Sequence, residues 1–340
     1  MFYYPTQILF IITLILGTLI TISSNSWFGA WMGLELNLLS FIPLLSNNDM
    51  LSSEAALKYF LTQALASVLL FFSMIMYLSN FKMGLGSSLS EMLILSMFSS
   101  ALFLKLGAAP FHFWFPGVME GISWLNGLIL MTWQKLGPTV LLSYVISMNN
   151  FVFCVAVMSV IVGALGGINQ TSLRKIMAYS SINHLGWITC GLLLSNSYWL
   201  SYFLFYCFLS FTIIYMFYAL QLTQLNQVFS LSDHNNFNKI FLFCNFLSLG
   251  GLPPFVGFLP KWLIIQGLIS SNLIFLSFLC VSFTLIVLFY YLRVFFPSIL
   301  IITSMPKWQI RNGAWTWGMS LLSSLSLLGL PLFPMIYFIF

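Results

Sequence analysis

Apolar stretches of helix-spanning length follow one another along almost the whole chain, separated by short polar loops. Crossing the hydrocarbon of a bilayer takes roughly 20 residues of helix. By that ruler, spans are expected near 5–24, 27–46, 55–79, 90–122, 123–145, 150–168, 172–194, 198–221, 239–271, 273–296 and 315–339. The pattern predicts an all-α polytopic membrane protein with about eleven transmembrane helices. Two stretches, 90–122 and 239–271, are too long for one straight crossing, at about 50 Å each as helix. Both carry helix breakers at their middles: Gly107, Pro110 and Pro116 in the first, and Gly250, Gly251, Pro253, Pro254, Gly257 and Pro260 in the second. A broken helix survives in a membrane only where protein or a watery cavity satisfies the freed backbone groups.

The two breaks resemble each other. Pro110-Phe111 is followed by Pro116, and Pro254-Phe255 by Pro260, with the same spacing. They fall in the fourth and ninth expected spans, so an odd number of crossings separates them and the two copies run in opposite directions. That predicts two inverted five-helix repeats, 5–145 and 150–296, followed by a C-terminal helix at 315–339. Chance is the alternative, because proline and phenylalanine recur throughout the chain.

Composition narrows the classes. Of 340 residues, 60% are hydrophobic and 5% are Asp, Glu, Lys or Arg, against about 25% charged residues in soluble domains. The net charge of +5 comes from 11 scattered bases. Nucleic-acid binding would need them clustered on one face, so no nucleic-acid partner is expected. Met1 to Pro5 shows no basic or cleavable leader, so insertion where the chain is made, or import by another route, is expected. Cys154, Cys190, Cys207, Cys244 and Cys280 lie in apolar stretches without a CxxC pair, which supports neither a disulfide framework nor an iron–sulfur site. They read as small apolar residues.

The basic loops fix an orientation. Lys58, Arg174, Lys175, Lys239, Arg293, Lys307 and Arg311 fall at the ends or loops on the N-terminal side, and only Lys82 falls on the other. The N-terminal side is therefore expected to be cytoplasmic or its mitochondrial equivalent, the matrix.

Four charges stand inside spans. Glu35 is central in the second and Lys135 in the fifth; Lys105 precedes the first break and Lys261 follows Pro260 in the second. A charge at helix centre costs about 2.5–3.5 kcal/mol even on the lenient insertion scale. Static polar contacts between membrane helices return only about 0.6 kcal/mol on average. Function is the better explanation, and proton movement suits the residue types. Low dielectric loosens a lysine's hold on its proton, and a nearby carboxylate tightens it again. An acid that approaches or retreats can therefore load and unload a lysine. Glu35 is the only acid in a span interior and Lys105 its plausible partner, with Lys135 receiving the proton next and Lys261 handing it on. Pro138 frees the carbonyl of Gln134, which could hold water there. His184, central in the seventh span, reads equally as a relay or as a packing residue.

Other signals carry less. His112 lies at the first break and His234 beside Asp233 in a polar loop, and no histidine pair has metal-ligand spacing. Glu54 and Lys58 read as a surface pair. Gly163 and Gly167 form a GxxxG, which speaks for close helix packing. Gly84 and Gly86 lack the strand and acid of a nucleotide site. Trp and Tyr near span ends fit an interfacial belt.

Several long runs are similar to a known family: WMGLELNLLSFIP from Trp31, LKLGAAPFHFW from Leu104, WQK from Trp133, GINQTSLRKIMAYSSINHLGW from Gly167 and GGLPPFVGFLPKW from Gly250. They resemble the NADH dehydrogenase subunit 2 family, the antiporter-like membrane subunits of mitochondrial respiratory complex I. The likeness runs to about residue 296; the last forty residues share only hydropathy and position. The resemblance implies a proton pump driven by quinone reduction elsewhere in the complex. It places the relay on Glu35, Lys105, Lys135 and Lys261. It implies no redox cofactor in this chain, with flavin, iron–sulfur clusters and quinone held by other subunits. Implied partners are other membrane subunits, among them 4L, 4 and the lateral helix of subunit 5, together with lipids such as cardiolipin. The implied location is the mitochondrial inner membrane, as in animal versions that lack the first three of the family's fourteen helices. In register, Lys105 precedes its Pro-Phe whereas Lys261 follows its own, and the tenth span offers no interior acid or lysine for the exit from Lys261. The rival readings are a stand-alone cation/proton antiporter subunit and a structural subunit with static ion pairs.

This topology puts the N-terminus in the matrix and the C-terminus in the intermembrane space. Protease added to the outer face of intact mitoplasts should leave the 222–238 loop uncut, and cleavage from that face would refute the orientation.

Overall fold

Without water to bond to, an apolar run satisfies its backbone most completely as a helix. The computed structural model describes residues 5–46, 49–83, 88–146, 150–229, 236–300 and, near the C-terminus, 323, 324, 326 and 327. Among these the chain is helical almost throughout and has no strand; an isolated bridge pairs Ser172 with Gln224. The helices are α1 (Pro5–Ser23), α2 (Trp27–Leu45), α3 (Met50–Met83), α4 (Ser88–Leu106), α5 (Trp114–Gly121), α6 (Trp124–Met131), α7 (Trp133–Val145), α8 (Asn150–Gly167), α9 (Leu173–Leu194), α10 (Asn196–Leu220), α11 (Leu225–Phe229), α12 (Asn236–Gly250), α13 (Phe258–Ser270) and α14 (Ile274–Leu300). Six of them, α1, α2, α3, α8, α10 and α14, contain stretches long and apolar enough to cross a membrane. The side chain of Lys82, together with Asp233, His234, Lys307, Arg311 and nearly all of 315–339, lies outside the described residues.

The chain divides into two compact units, 1–159 and 160–340. In the first, α2 packs on α1 and α3, α3 on α4 and α5, and α7 on α4. The packing of α1 is inverted relative to a soluble helix. Gly17, Thr18 and Thr21 are buried, while Leu9, Ile12, Leu16 and Leu19 are exposed. Lipid tails are as apolar as leucine, so small and hydroxyl residues turn to protein and let backbones approach. A methyl on Gly33 would stand 2.8 Å from the Gly17 carbonyl. The Thr18 and Thr21 hydroxyls bond back to Ile15 O and Thr18 O, both at 2.7 Å, so no polar group is stranded.

In the second unit α9 packs against α10 and α13, and α12 against α10 and α14. Every residue of α9 from Ser180 to Leu193 is buried. That burial explains how α9 carries Ser180, Ser181, Asn183, His184 and Thr189: protein surrounds the helix and lipid does not reach it. The close-packing expectation for the GxxxG holds. Gly163 meets the backbone of Asn183, and Gly167 meets the Tyr290 ring.

The two long stretches are both broken, and they are built alike. Helix α4 ends at Leu106 and α12 at Gly250; the next residues, Gly107 (φ 71°) and Gly251 (φ 81°), are left-handed. Each glycine N–H donates to the carbonyl three residues back, Gly107 to Leu104 O at 3.2 Å and Gly251 to Ser248 O at 3.0 Å. The following residue donates five back, Ala108 to Phe103 O at 3.1 Å and Leu252 to Leu247 O at 3.3 Å. This is the Schellman closure, which glycine permits because it has no Cβ to clash. Pro110 and Pro254 come next at the same step, and helix resumes at Trp114 and Phe258.

Two expectations need correction. The third span begins at Met50 rather than 55, which takes Glu54 and Lys58 into α3 as an exposed pair at 2.6 Å. The fifth span is not one helix. It is interrupted at Thr132, between α6 and α7. Pro138 removes the N–H that would bond Gln134 O and crowds that carbonyl, which disturbs the turn just before it. Thr132 Oγ1 covers Leu128 O at 2.7 Å at the interruption.

A methyl on Gly163 would lie 2.5 Å from Asn183 N, whereas the nearest atom to one on Gly117 is Lys58 Cδ at 4.0 Å. Gly163→Val should therefore force α8 off α9 and cost about 1–3 kcal/mol of overpacking. Thermal unfolding in detergent should fall for Gly163→Val and stay unchanged for Gly117→Ala.

Candidate proton-carrying sites

In the first unit the last turn of α4 and the start of α7 bring Lys105 and Lys135 to the wall of one small cavity. Asn37, Tyr59, Gln63 and Gln134 line it with them. Polar walls of this kind suit a bound water. Lys105 is 7% and Lys135 2% exposed. The carbonyls left open where α4 ends are covered from the side: Gln63 Nε2 donates to Lys105 O at 3.3 Å and Trp114 Nε1 to Leu104 O at 3.1 Å. The Lys135 amine stands 5.1 Å from the Phe115 ring centroid, in cation–π range. Thr139 Oγ1 caps Lys135 O at 2.8 Å.

Glu35 is half-buried on α2. Its carboxylate lies within electrostatic reach of Lys105 and Tyr59. Its Oε1 is buried and makes no hydrogen bond, and among the described residues no ion pair joins it to Lys105. The expected partners are thus brought near each other without being locked. A buried, unsatisfied polar atom costs about 1–3 kcal/mol.

In the second unit Lys261 lies in the first turn of α13 and reaches back across the break. Its amine donates to Gly250 O at 2.6 Å and Leu249 O at 3.3 Å, the open end of α12. A cation there also complements the negative end of the helix dipole. The amine is 6.0 Å from the Trp187 ring centroid. Trp187 stacks on Tyr202 with an interplanar angle of 5°. His184 Nδ1 is 2.8 Å from the Tyr202 hydroxyl, and its ring is 5.0 Å from that of Tyr206. One aromatic layer therefore connects His184 with Lys261.

The structure adds residues that the sequence pattern does not single out. Asn37, Gln63 and Gln134 are legible as amides inside apolar helices; their convergence is not. Trp187, Tyr202, Tyr206, Tyr290 and Tyr291 are buried. Cys190 and Cys280 are opposed across α9 and α14, with sulfurs 3.7 Å apart. His112 is buried at the first break, its Nδ1 3.3 Å from Pro110 O and its ring 4.3 Å from that of Phe113. Among the described residues no cluster of three or more His, Cys, Asp or Glu could hold a metal ion.

Gly251→Ala would add a methyl 2.8 Å from Lys261 Cδ, on backbone with φ 81°. Left-handed backbone costs a residue with Cβ about 1–2 kcal/mol. The expected result is lower thermal stability together with reduced proton flux per folded protein, because the amine is pushed from the α12 carbonyls. Stability lost with flux per folded protein intact would separate the break from the transport step.

Comparison with known proteins identifies the family. The family described as NADH:quinone oxidoreductase/Mrp antiporter, transmembrane, matches residues 24–287. NADH-ubiquinone oxidoreductase chain 2 of Anopheles gambiae is 51% identical over 342 residues, covering 97% of this chain and 98% of its own length. The chain 2 of Aedes aegypti is 51% identical over 336 residues, with shares of 97% and 98%. A chain of respiratory complex I from Thermus thermophilus with bound Aureothin superposes with a TM-score of 0.83 at 25% identity, covering 97% of this chain and 78% of that one. The family match over residues 24–287 and 51% identity across nearly the whole length of both insect relatives place the chain in the NADH:quinone oxidoreductase/Mrp antiporter family, within its NADH-ubiquinone oxidoreductase chain 2 branch.

Proposed function

We propose that this chain translocates protons as a membrane subunit of respiratory complex I, by a relay of Glu35, Lys105, Lys135, His184 and Lys261. The observation that carries the reading is the shared polar cavity of Lys105 and Lys135 in the interior of a lipid-facing helix bundle. Two buried lysines beside room for water can pass a proton between amines. The nearby carboxylate of Glu35 favours the charged form of Lys105. When that influence weakens, the proton is released toward Lys135. In the second unit His184, bonded to the Tyr202 hydroxyl, and Lys261 carry the corresponding steps, with water passing the proton between them.

The matching geometry of the breaks at Gly107 and Gly251 supports two inverted five-helix repeats, 5–145 and 150–296, within about eleven crossings that end in the 315–339 helix. With the basic loops in the matrix, the chain would lie in the mitochondrial inner membrane with its C-terminus in the intermembrane space. Its neighbours would be subunits 4L and 4, the lateral helix of subunit 5 and lipids such as cardiolipin, and it would bind no nucleic acid. Flavin, iron–sulfur clusters and quinone would be held by other subunits. One observation favours the structural rival: the fixed bonds from Lys261 to Gly250 O and Leu249 O could serve as a static helix cap.

Glu35→Gln leaves Lys105 buried without its counter-charge and disfavours protonation there. Protons pumped per NADH oxidised, normalised to assembled complex, should fall several-fold, while electron transfer from NADH to an upstream artificial acceptor persists. Glu35→Asp should be milder, because the charge remains with a shorter reach. Lys135→Met should behave like Glu35→Gln. Normal coupling in Glu35→Gln and Lys135→Met, with only less complex assembled, would leave these residues as packing groups.

A further inference from the structure

The relay needs a supply of protons, and the second unit holds buried hydroxyls that the relay does not use. Tyr290 and Tyr291 on α14 are both 0% exposed. Their rings meet edge to face with centroids 4.7 Å apart. The Tyr291 hydroxyl lies beside those of Tyr290 and Ser180, yet neither tyrosine closes a hydrogen bond of full geometry. Aliphatic residues would fill this space without stranding two polar groups, so their presence asks for a use.

Their position suggests one. At one end Tyr290 abuts Gly167, where α8 runs into the polar turn 168–172; a methyl on Gly167 would be 2.8 Å from Tyr290 Cε1. Asn169 and Thr171 in that turn are exposed. Arg293, one turn further along α14, donates from Nη2 to Gln170 O at 3.2 Å and pins the turn there. At the other end Tyr291 reaches the break that carries Lys261. A methyl on Gly250 would be 3.5 Å from Tyr291 Cδ2, and the Gly250 carbonyl accepts from the Lys261 amine. A side branch leads to the histidine: Ser180 and Ser181 are adjacent on α9, Ser181 bonds the Tyr206 hydroxyl, and the Tyr206 ring lies against His184.

We propose that Tyr290 and Tyr291, with Ser180, form a proton-uptake branch leading from the polar turn at 168–172 to Lys261 and, through Ser181 and Tyr206, to His184. The proposal rests on the relay reading above. Each hydroxyl accepts a proton on oxygen while releasing its own to the next acceptor, with water bridging any gap, so no bond change remains once the hydroxyls reorient. The turn supplies the bulk-facing end, because Asn169 and Thr171 are exposed there. The small Gly167 and Gly250 let the two rings lie against backbone at both ends of the branch.

The test compares the double change Tyr290→Phe with Tyr291→Phe, which removes two oxygens and keeps both rings, with Lys261→Met in the assembled complex. Tyr144→Phe, at an exposed position on α7, is the control. Protons pumped per NADH are normalised to assembled complex, and the solvent deuterium isotope effect on coupled turnover is measured alongside. Uptake through the hydroxyls predicts several-fold lower coupling in the double variant and a larger isotope effect, because proton delivery becomes limiting. A packing role would leave the isotope effect unmoved. Lys261→Met uncoupled with the double variant normal overturns the branch and leaves the relay standing. Both normal overturns the relay and the branch with it. Should the double variant not assemble, Ser180→Ala decides the same question: normal coupling and isotope effect overturn the branch, and the combined change supports it.

Discussion

A backbone carbonyl inside a bilayer has no water to turn to, and this chain is arranged around that constraint. At each of the two breaks, side-chain donors cover the open helix end. Gln63 and Trp114 cover the end of α4, and Lys261 covers the end of α12. The breaks exist because left-handed glycines and prolines end the helices there, and the polar side chains gather because the breaks demand them. The chemistry follows from the same demand. A side chain able to satisfy a carbonyl in a low-dielectric interior can also hold a proton or a water there.

The two units meet this demand differently. At the first break the end of α4 is covered by neutral donors, and Lys105 and Lys135 are among the residues lining the cavity beside it. At the second the lysine itself is the cover. Under the proposed relay Lys261 would double as a helix cap, so shifts of α12 against α13 would change the stabilisation of its ammonium. In the first unit the charge near Lys105 is instead the Glu35 carboxylate, with which it forms no ion pair among the described residues. Both designs place a buried cation where a small movement changes its stabilisation.

Polarity in the core is tolerated because lipid is kept away from it. The large apolar residues of α1 face outward, while α9 is enclosed by protein along its polar half. Serine and threonine hydroxyls bond back to their own helix, as at Thr18, Thr21, Ser180 and Ser181. Buried polar atoms without a hydrogen bond include Glu35 Oε1 and the Tyr290 and Tyr291 hydroxyls, along with Asn37 Oδ1, Gln134 Nε2 and Trp187 Nε1.

Much of this was written locally in the sequence. Helical spans follow from apolar length, the two breaks from glycine and proline at stretch centres, and the candidate carriers from the cost of placing Glu35, Lys105, Lys135 and Lys261 among apolar residues. Those inferences need only a residue and its neighbours in the chain, because the penalty for a charge or a breaker in lipid does not depend on what lies across the bundle. Convergence is another matter. That Lys105 and Lys135 share a cavity with Gln63, that Lys261 turns back onto Gly250, that Cys190 faces Cys280 and that Tyr202, Tyr206, Tyr290 and Tyr291 are buried was decided by which helix faces met. Nor could apolar length alone locate the interruption at Thr132, since Pro138 acts on the turn before it. Hydropathy has no direction around a helix that is apolar on every side, so the pairing of faces is set by the fit of small residues such as Gly17, Gly33 and Gly163 against backbone, and that fit exists only in the folded bundle.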